Sequence, residues 1–281
     1  MTRTAVTSEP DPQRTWRYSL FNHLVGEDEH RPRRVAAADN QFVSEIEKQL
    51  GWTTQLPWSD GSIEERLFDL GRLLRQAPAI TEVAMVDTTG RERLRVSRLG
   101  LDVIDSRIDV SEDPKFVEAT ARKVHFGPVY FRDESEPYMT LALSGPRRDS
   151  GVSVAEINLK FIGDVVSQIR VGETGKAFVV DAAGRLIAHP DISLVLRNTD
   201  LGSSGQIRAA RAISASDRSA RAFITEDIQS QRVLSAFAPI VPLGWLVFVD
   251  LPLSEAYAPL YESLKRTGVV LLTGLLVSGN V

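Results

Sequence analysis

Two hydrophobic periods alternate along this chain, one helical and one extended. Over 39–77 the spacing is helical, with Phe42, Val43, Ile46 and Leu50 recurring on one face. Gly51, Pro57 and Gly61 interrupt the pattern, and it restarts at Ser62-Ile63-Glu64-Glu65. That tetrad predicts a capping box, in which Ser62 accepts from the Glu65 N–H and Glu65 reaches back. Ile63, Leu67, Leu70 and Leu74 then share a face, until Pro78 ends the helix. From here the period shortens to two. Strands are predicted over 80–87 and 91–97, joined at Thr88-Thr89-Gly90, where Gly90 supplies the positive φ of a tight hairpin.

The hairpin occurs twice. Val86-Asp87-Thr88-Thr89-Gly90-Arg91 is echoed 94 residues later by Val180-Asp181-Ala182-Ala183-Gly184-Arg185. Pro146 and Gly151 find counterparts in Pro239 and Gly244, each 93 residues on. Strands follow the glycines, over 152–159 and 245–251, and strands precede them, over 138–143 and 232–238. Landmarks kept in step at one offset predict an internal duplication. The middle of the first copy holds a helical stretch at 114–123 and a strand around Tyr130; the second holds 205–215 and 222–225. Leu159, Ile162, Val165, Val166 and Ile169 mark a helix joining the copies. The predicted class is α+β: a long N-terminal helix followed by two tandem antiparallel-sheet modules.

Composition narrows the chemistry. A chain of 281 residues with 43% hydrophobic and 25% charged residues has material for one or two ordinary cores. The formal net charge of -4 argues against a nucleic-acid partner. The absence of cysteine excludes disulfides, thiolate metal sites and a cysteine nucleophile. His23, His30, His125 and His189 show no metal-ligand spacing, and His189 reads as a satisfied loop residue. Gly172-Glu173-Thr174-Gly175-Lys176 fails as a phosphate loop, because Arg170 holds the first glycine position and Ala177 the hydroxyl position. No Gly-x-Ser-x-Gly elbow occurs, and the pairs Glu64-Glu65 and Asp133-Glu134 read as solvated faces. Neither a catalytic group nor a cofactor or metal is expected. No signal peptide is visible over 1–34, and the apolar run 268–281 reads as the start of a membrane helix, so the chain is expected to be a fragment or to carry a misplaced start.

The chain resembles the double Cache family of extracytoplasmic, PAS-like sensor regions. The resemblance rests on Gly127-Pro128-Val129-Tyr130-Phe131 with Glu136-Pro137-Tyr138, on Gly175 through Val180 with Gly184 through Asp191, and on Gly51-Trp52-Thr53-Thr54-Gln55-Leu56-Pro57-Trp58. The last stretch is similar to sensors of histidine kinases and adenylate or guanylate cyclases. The resemblance implies a disordered or atypical segment over 1–38, a long N-terminal helical segment over 39–78, a membrane-distal module with a ligand pocket over 79–163, a membrane-proximal module over 164–257, and a C-terminal helix with a truncated transmembrane segment over 258–281. It also implies a small-molecule ligand, periplasmic exposure, anchorage in the inner membrane through the C-terminal segment, and a homodimer through the N-terminal helix. The candidate ligand contacts are Tyr130, Arg132, Tyr138, Phe116, Arg95 and Glu156. In amino-acid-binding members an Arg would stand where this chain has Asp113, so a standard amino acid is disfavoured as ligand. A protein-interaction module on the same fold is the alternative.

Overall fold

The computed structural model describes residues 31–55, 62–132, 136–147, 149–169, 171–216, 221–258 and 265–267. The first helix, α1 (Arg31–Gly51), begins eight residues before the predicted start. Its first turn is polar and its second, Val35-Ala36-Ala37-Ala38, is an unbroken apolar run, so no helical periodicity announces them; arginine and alanine favour helix, and a proline in the first turn is tolerated. A single 3₁₀ turn, Trp52–Thr54, follows. Thr53 and Thr54 are buried, and the Thr53 hydroxyl lies 2.6 Å from the Leu50 carbonyl and 3.0 Å from Ser153 Oγ. The Gly51-Trp52-Thr53-Thr54 stretch thus docks the end of α1 onto the first sheet. Helix α2 (Ile63–Gln76) starts at Ser62 with both bonds of the capping box in place.

Twelve strands form two antiparallel sheets. The first holds β1 (Ile80–Val86), β2 (Glu92–Ser97), β3 (Val103–Ile104), β4 (Val124–Phe126), β5 (Tyr130–Arg132), β6 (Glu136–Ser144) and β7 (Val152–Asn158), with α3 (Pro114–Arg122) crossing between β3 and β4. Its order is β3-β2-β1-β7-β6-β4, with β5 also paired to β6. Helix α4 (Lys160–Ser167) leads to the second sheet, which holds β8 (Lys176–Val180), β9 (Leu186–Ala188), β10 (Arg221–Glu226), β11 (Arg232–Ile240) and β12 (Trp245–Pro252). Its order is β10-β11-β12-β8-β9, with α5 (Ile192–Leu196) and α6 (Gly205–Ser216) between β9 and β10. From its hairpin edge each sheet runs hairpin, last strand, penultimate strand, so the two share one topology.

The duplication is visible down to side chains. Asp87 Oδ1 accepts from the backbone N–H of Thr89 and Arg91, and Asp181 Oδ1 from Ala183, Gly184 and Arg185. Gly90 and Gly184 close these turns with φ of 82° and 99°. The same turn occurs a third time at Asp227, which accepts from Gln229 and Gln231. Ser230 takes the left-handed position there, at φ 60°, so no glycine advertised it. One predicted pairing is corrected. Pro239 lies inside β11 opposite Leu246, whereas Pro146 lies in the turn after β6. The β11–β12 turn has Pro242 instead, behind a cis peptide bond.

The main core lies between α1, α2 and the backs of both sheets. Leu50, Leu70, Leu73, Ile80, Leu141, Ile157, Ile162, Val166, Val179 and Val247 belong to one continuous cluster. Helix α1 packs against β6 and β7 of the first sheet and β11 and β12 of the second, which ties the modules together. The apolar stripe of α2 faces inward: Leu70 and Leu74 are buried, with Ile63 and Leu67 packed against the core. The opposite faces of the two sheets point away from α1; the first carries α3 and the second carries α5 and α6.

Among the described residues no helix is long and apolar enough to cross a membrane. The predicted transmembrane run at 268–281 lies outside the described residues. At the C-terminal side α7 (Leu253–Ala256) begins directly after β12. The rejected phosphate loop holds a carboxylate of the protein itself: Glu255 accepts from the N–H of Glu173 and Thr174 and from the Thr174 hydroxyl. A Cβ on Gly172 would collide with the Glu255 carboxylate, and the backbone there is left-handed at φ 61°, which favours glycine.

Candidate functional site

A strand alternates its faces, so the face opposite α1 can be read directly from the register. On the first sheet that face presents Glu82 on β1, Arg95 on β2, Tyr138 and Thr140 on β6, and Glu156 and Asn158 on β7. At one end it is apolar: Ala84, Val86, Ala142, Val152 and Val154 pack under Ala119 and Phe116 of α3. At the other end it is polar, and Glu156 is at its centre.

Glu156 is half-buried and is the one acid in its strand, Val152–Asn158. The Tyr130 hydroxyl donates to its Oε2, and the Thr140 hydroxyl lies 3.0 Å from its Oε1. Among the described residues no cation comes within 4 Å of it. Burial pushes its carboxyl above the ordinary carboxylate range, against the opposing pull of the two hydroxyls. Burial, with the Glu156 carboxylate beside it, likewise pushes the Tyr130 phenol up. Tyr130 and Tyr138 face each other across β5 and β6 and stack at 6.1 Å. The Arg132 guanidinium lies 5.9 Å from the Tyr138 ring centroid. Asn158 Nδ2 donates to the Tyr138 hydroxyl at 3.1 Å and to Glu136.

The structure brings the six predicted residues onto one face, in three environments. Tyr130, Tyr138, Arg132 and Glu156 form one polar cluster with Thr140. Phe116 belongs to the apolar end, against the sheet. Arg95 is engaged by the protein, 2.5 Å from Glu92 and 3.7 Å from Glu82. Asp113 caps α3 by accepting from the Lys115 N–H at 3.0 Å, and its other oxygen lies 3.5 Å from Lys115 Nζ. Sequence reasoning missed Thr140, Glu82 and Asn158. The available signal was position: each occurs at even spacing along its strand from an apolar or aromatic residue of the same face.

His189 is a satisfied residue: its Nδ1 accepts from the Asp191 N–H at 2.8 Å, and the residue is buried and lines a cavity in the second module. Among the described residues no group of three His, Asp or Glu is placed to hold a metal ion.

Two sheets of one topology, spanned by one helix and each covered by helix on the far face, define a tandem sensory-domain scaffold. The chain belongs to the Cache domain family, whose double-Cache model matches residues 29–260. Cache domains are ligand-binding input domains, not catalytic ones. The fold is shared with an extracellular domain named for a histidine kinase, mmHK1S-Z2: 16% identity, 86% of this chain, 100% of that one, TM-score 0.64. It is also shared with the ligand-binding domain of the Campylobacter jejuni chemoreceptor Tlp3 in complex with L-valine: 14% identity, 88% of this chain, 98% of that one, TM-score 0.63. The methyl-accepting chemotaxis protein PscA of Pseudomonas syringae pv. tomato is 28% identical over 117 residues, which is 40% of this chain and 17% of that protein.

Proposed function

We propose that this chain is the extracytoplasmic input region of a bacterial transmembrane receptor, and that it binds a small molecule on the polar end of the first sheet. The single observation that carries this reading is Glu156. A half-buried carboxylate held by two neutral hydroxyls, with no cation within 4 Å among the described residues and only the more distant pull of Lys115, is costly unless something repays it. A ligand amine or hydroxyl would do so. The domain division, the inner-membrane location and the C-terminal anchor are part of the same proposal and rest on membership in the family.

Tlp3 binds L-valine. Here the residue expected to clamp an α-carboxylate is Asp113, which is committed to capping α3. The favoured ligand therefore carries a hydrogen-bond donor for Glu156 and lacks the α-carboxylate of a standard amino acid.

A thermal-shift screen of amines, polyols and nucleosides against the chain tests this. At least one compound is expected to raise the melting temperature, since a ligand at 100 times its Kd stabilises by about 2.7 kcal/mol. The same compound should lose at least tenfold in affinity on Glu156→Gln, while the variant melts normally. A hit unaffected by Glu156→Gln would place the site elsewhere.

A further inference from the structure

The second module contains a cavity of about 320 Å³ that the function proposed above does not use. Its floor is the far face of the second sheet, the face corresponding to the one that holds Glu156. Lys176 on β8, Asp250 on β12 and Ser235 on β11 occupy the places that Glu82, Glu156 and Thr140 hold in the first sheet. The polar trio has been kept and one charge reversed, from Glu82 to Lys176.

Lys176 and Asp250 are register partners on neighbouring strands, a geometry in which opposite charges normally meet. Here they do not. Asp250 is buried and takes Gln206 Nε2 at 2.8 and 3.0 Å, and Gln206 also reaches Ser235 at 2.9 Å. Lys176 Nζ turns instead to the Gln229 side chain, at 3.4 Å. Among the described residues no carboxylate is within 4 Å of that ammonium. The gap between the two charged groups opens into the cavity.

The walls suit a small organic molecule. Phe178, Leu194, Ile228 and Val233 supply apolar surface, and the third Asp-turn at Asp227 contributes Gln229 and Gln231. Because His189 Nδ1 accepts the Asp191 N–H, the neutral ring carries its proton on Nε2. Burial holds the imidazole below its ordinary pKa, so it is a neutral donor at pH 7. A volume near 300 Å³ is at the small end of ligand pockets.

We infer that this cavity is a second ligand site, for a small carboxylic acid bearing a hydroxyl or amino group beside the carboxyl. Its carboxylate pairs with Lys176 and His189, its neighbouring donor faces Asp250, and its side chain packs on Phe178 and Val233. A plain amine would give Lys176 no carboxylate partner, and a plain carboxylate would add no donor to the one Gln206 already gives Asp250.

The test is isothermal titration of the chain with the common α-amino acids and their 2-hydroxy counterparts, with butyrate and butylamine as single-function controls. At least one bifunctional acid should bind, and butyrate and butylamine at least tenfold more weakly. Lys176→Met should weaken that acid at least tenfold, Lys176→Arg should recover most of it, and Glu156→Gln should leave it within twofold. Binding unchanged in Lys176→Met, or no bifunctional acid bound at 10 mM (about the weakest useful affinity, near 3 kcal/mol), overturns the inference. Loss in Glu156→Gln with retention in Lys176→Met would assign the acid to the first sheet instead. The two sites are thus separable, and failure of one leaves the other standing.

Discussion

Glu156 and Asp250 are each a lone acid in a run of strand formers, Val-Ser-Val-Ala-Glu-Ile-Asn and Trp-Leu-Val-Phe-Val-Asp-Leu-Pro. Each costs the fold something, and the cost is measurable for Asp250. Burial pushes its carboxyl from an ordinary 3.8 up to about 6. Between those values the folded chain keeps a proton that the unfolded chain has lost. The resulting stabilisation is complete below about pH 4 and is lost as pH rises through about 6, a change on the order of 3 kcal/mol. Asp250→Asn, which keeps the shape and loses the charge, should flatten the dependence of the urea midpoint on pH across this window. An unchanged slope would mean that Asp250 is not the group responsible. At this scale the sequence was partly legible. The resemblance pointed to Tyr130, Tyr138 and Glu156, and they meet in space. It pointed equally to Arg95, yet its guanidinium is engaged by Glu92 and Glu82, and no one-dimensional pattern shows where a long side chain finds its partner.

Elements were the most legible layer, because caps and turns have local causes. The capping box at Ser62 and Glu65 and the glycine turns at Gly90 and Gly184 were readable from a few adjacent residues, and the structure contains them. Ser62→Ala should cost about 1 kcal/mol in a denaturant titration, the usual loss for an N-cap. The third Asp-turn was not readable, since Ser230 holds a conformation that glycine usually signals. Nor was the clasp between the Gly172 loop and Glu255, whose partners are about 80 residues apart in sequence. Gly172→Ala should destabilise by about 1–3 kcal/mol, through its left-handed backbone and the clash with Glu255. Glu255→Ala should remove most of the clash while leaving the backbone strain, so the double variant should be less destabilised than the sum. Additive losses would show that loop and helix are independent. The clasp fixes the start of the second module to α7.

At the scale of the whole molecule, contacts beyond the connecting helix α4 join the modules among the described residues. Helix α1 spans both sheets. Arg185, in the turn of the second hairpin, donates to the Val129 carbonyl at 2.7 Å. Phe131 packs against the core of the second sheet that contains Phe178 and Phe248. Val129 and Phe131 flank Tyr130, which bonds Glu156, so the strand that contacts the proposed ligand is held on both sides by the other module. A ligand shifts such an arrangement only by binding one packing better than the other. Arg185→Met should leave ligand affinity at the first sheet nearly unchanged while weakening the response of the second hairpin. The duplication and the α+β class were legible because repeated turns mark repeated modules. The inter-module links were not, because they depend on how two modules stack.

The most direct measurement of the sensor account is amide hydrogen exchange, with and without a saturating concentration of a compound that binds through Glu156. The account predicts slower exchange in β5, β6 and β7 and, in the same experiment, a change at the turn from Asp181 to Arg185, with the second effect lost in Arg185→Met. Protection confined to surfaces away from the first sheet, or no change in β5 to β7 at saturation, would contradict it.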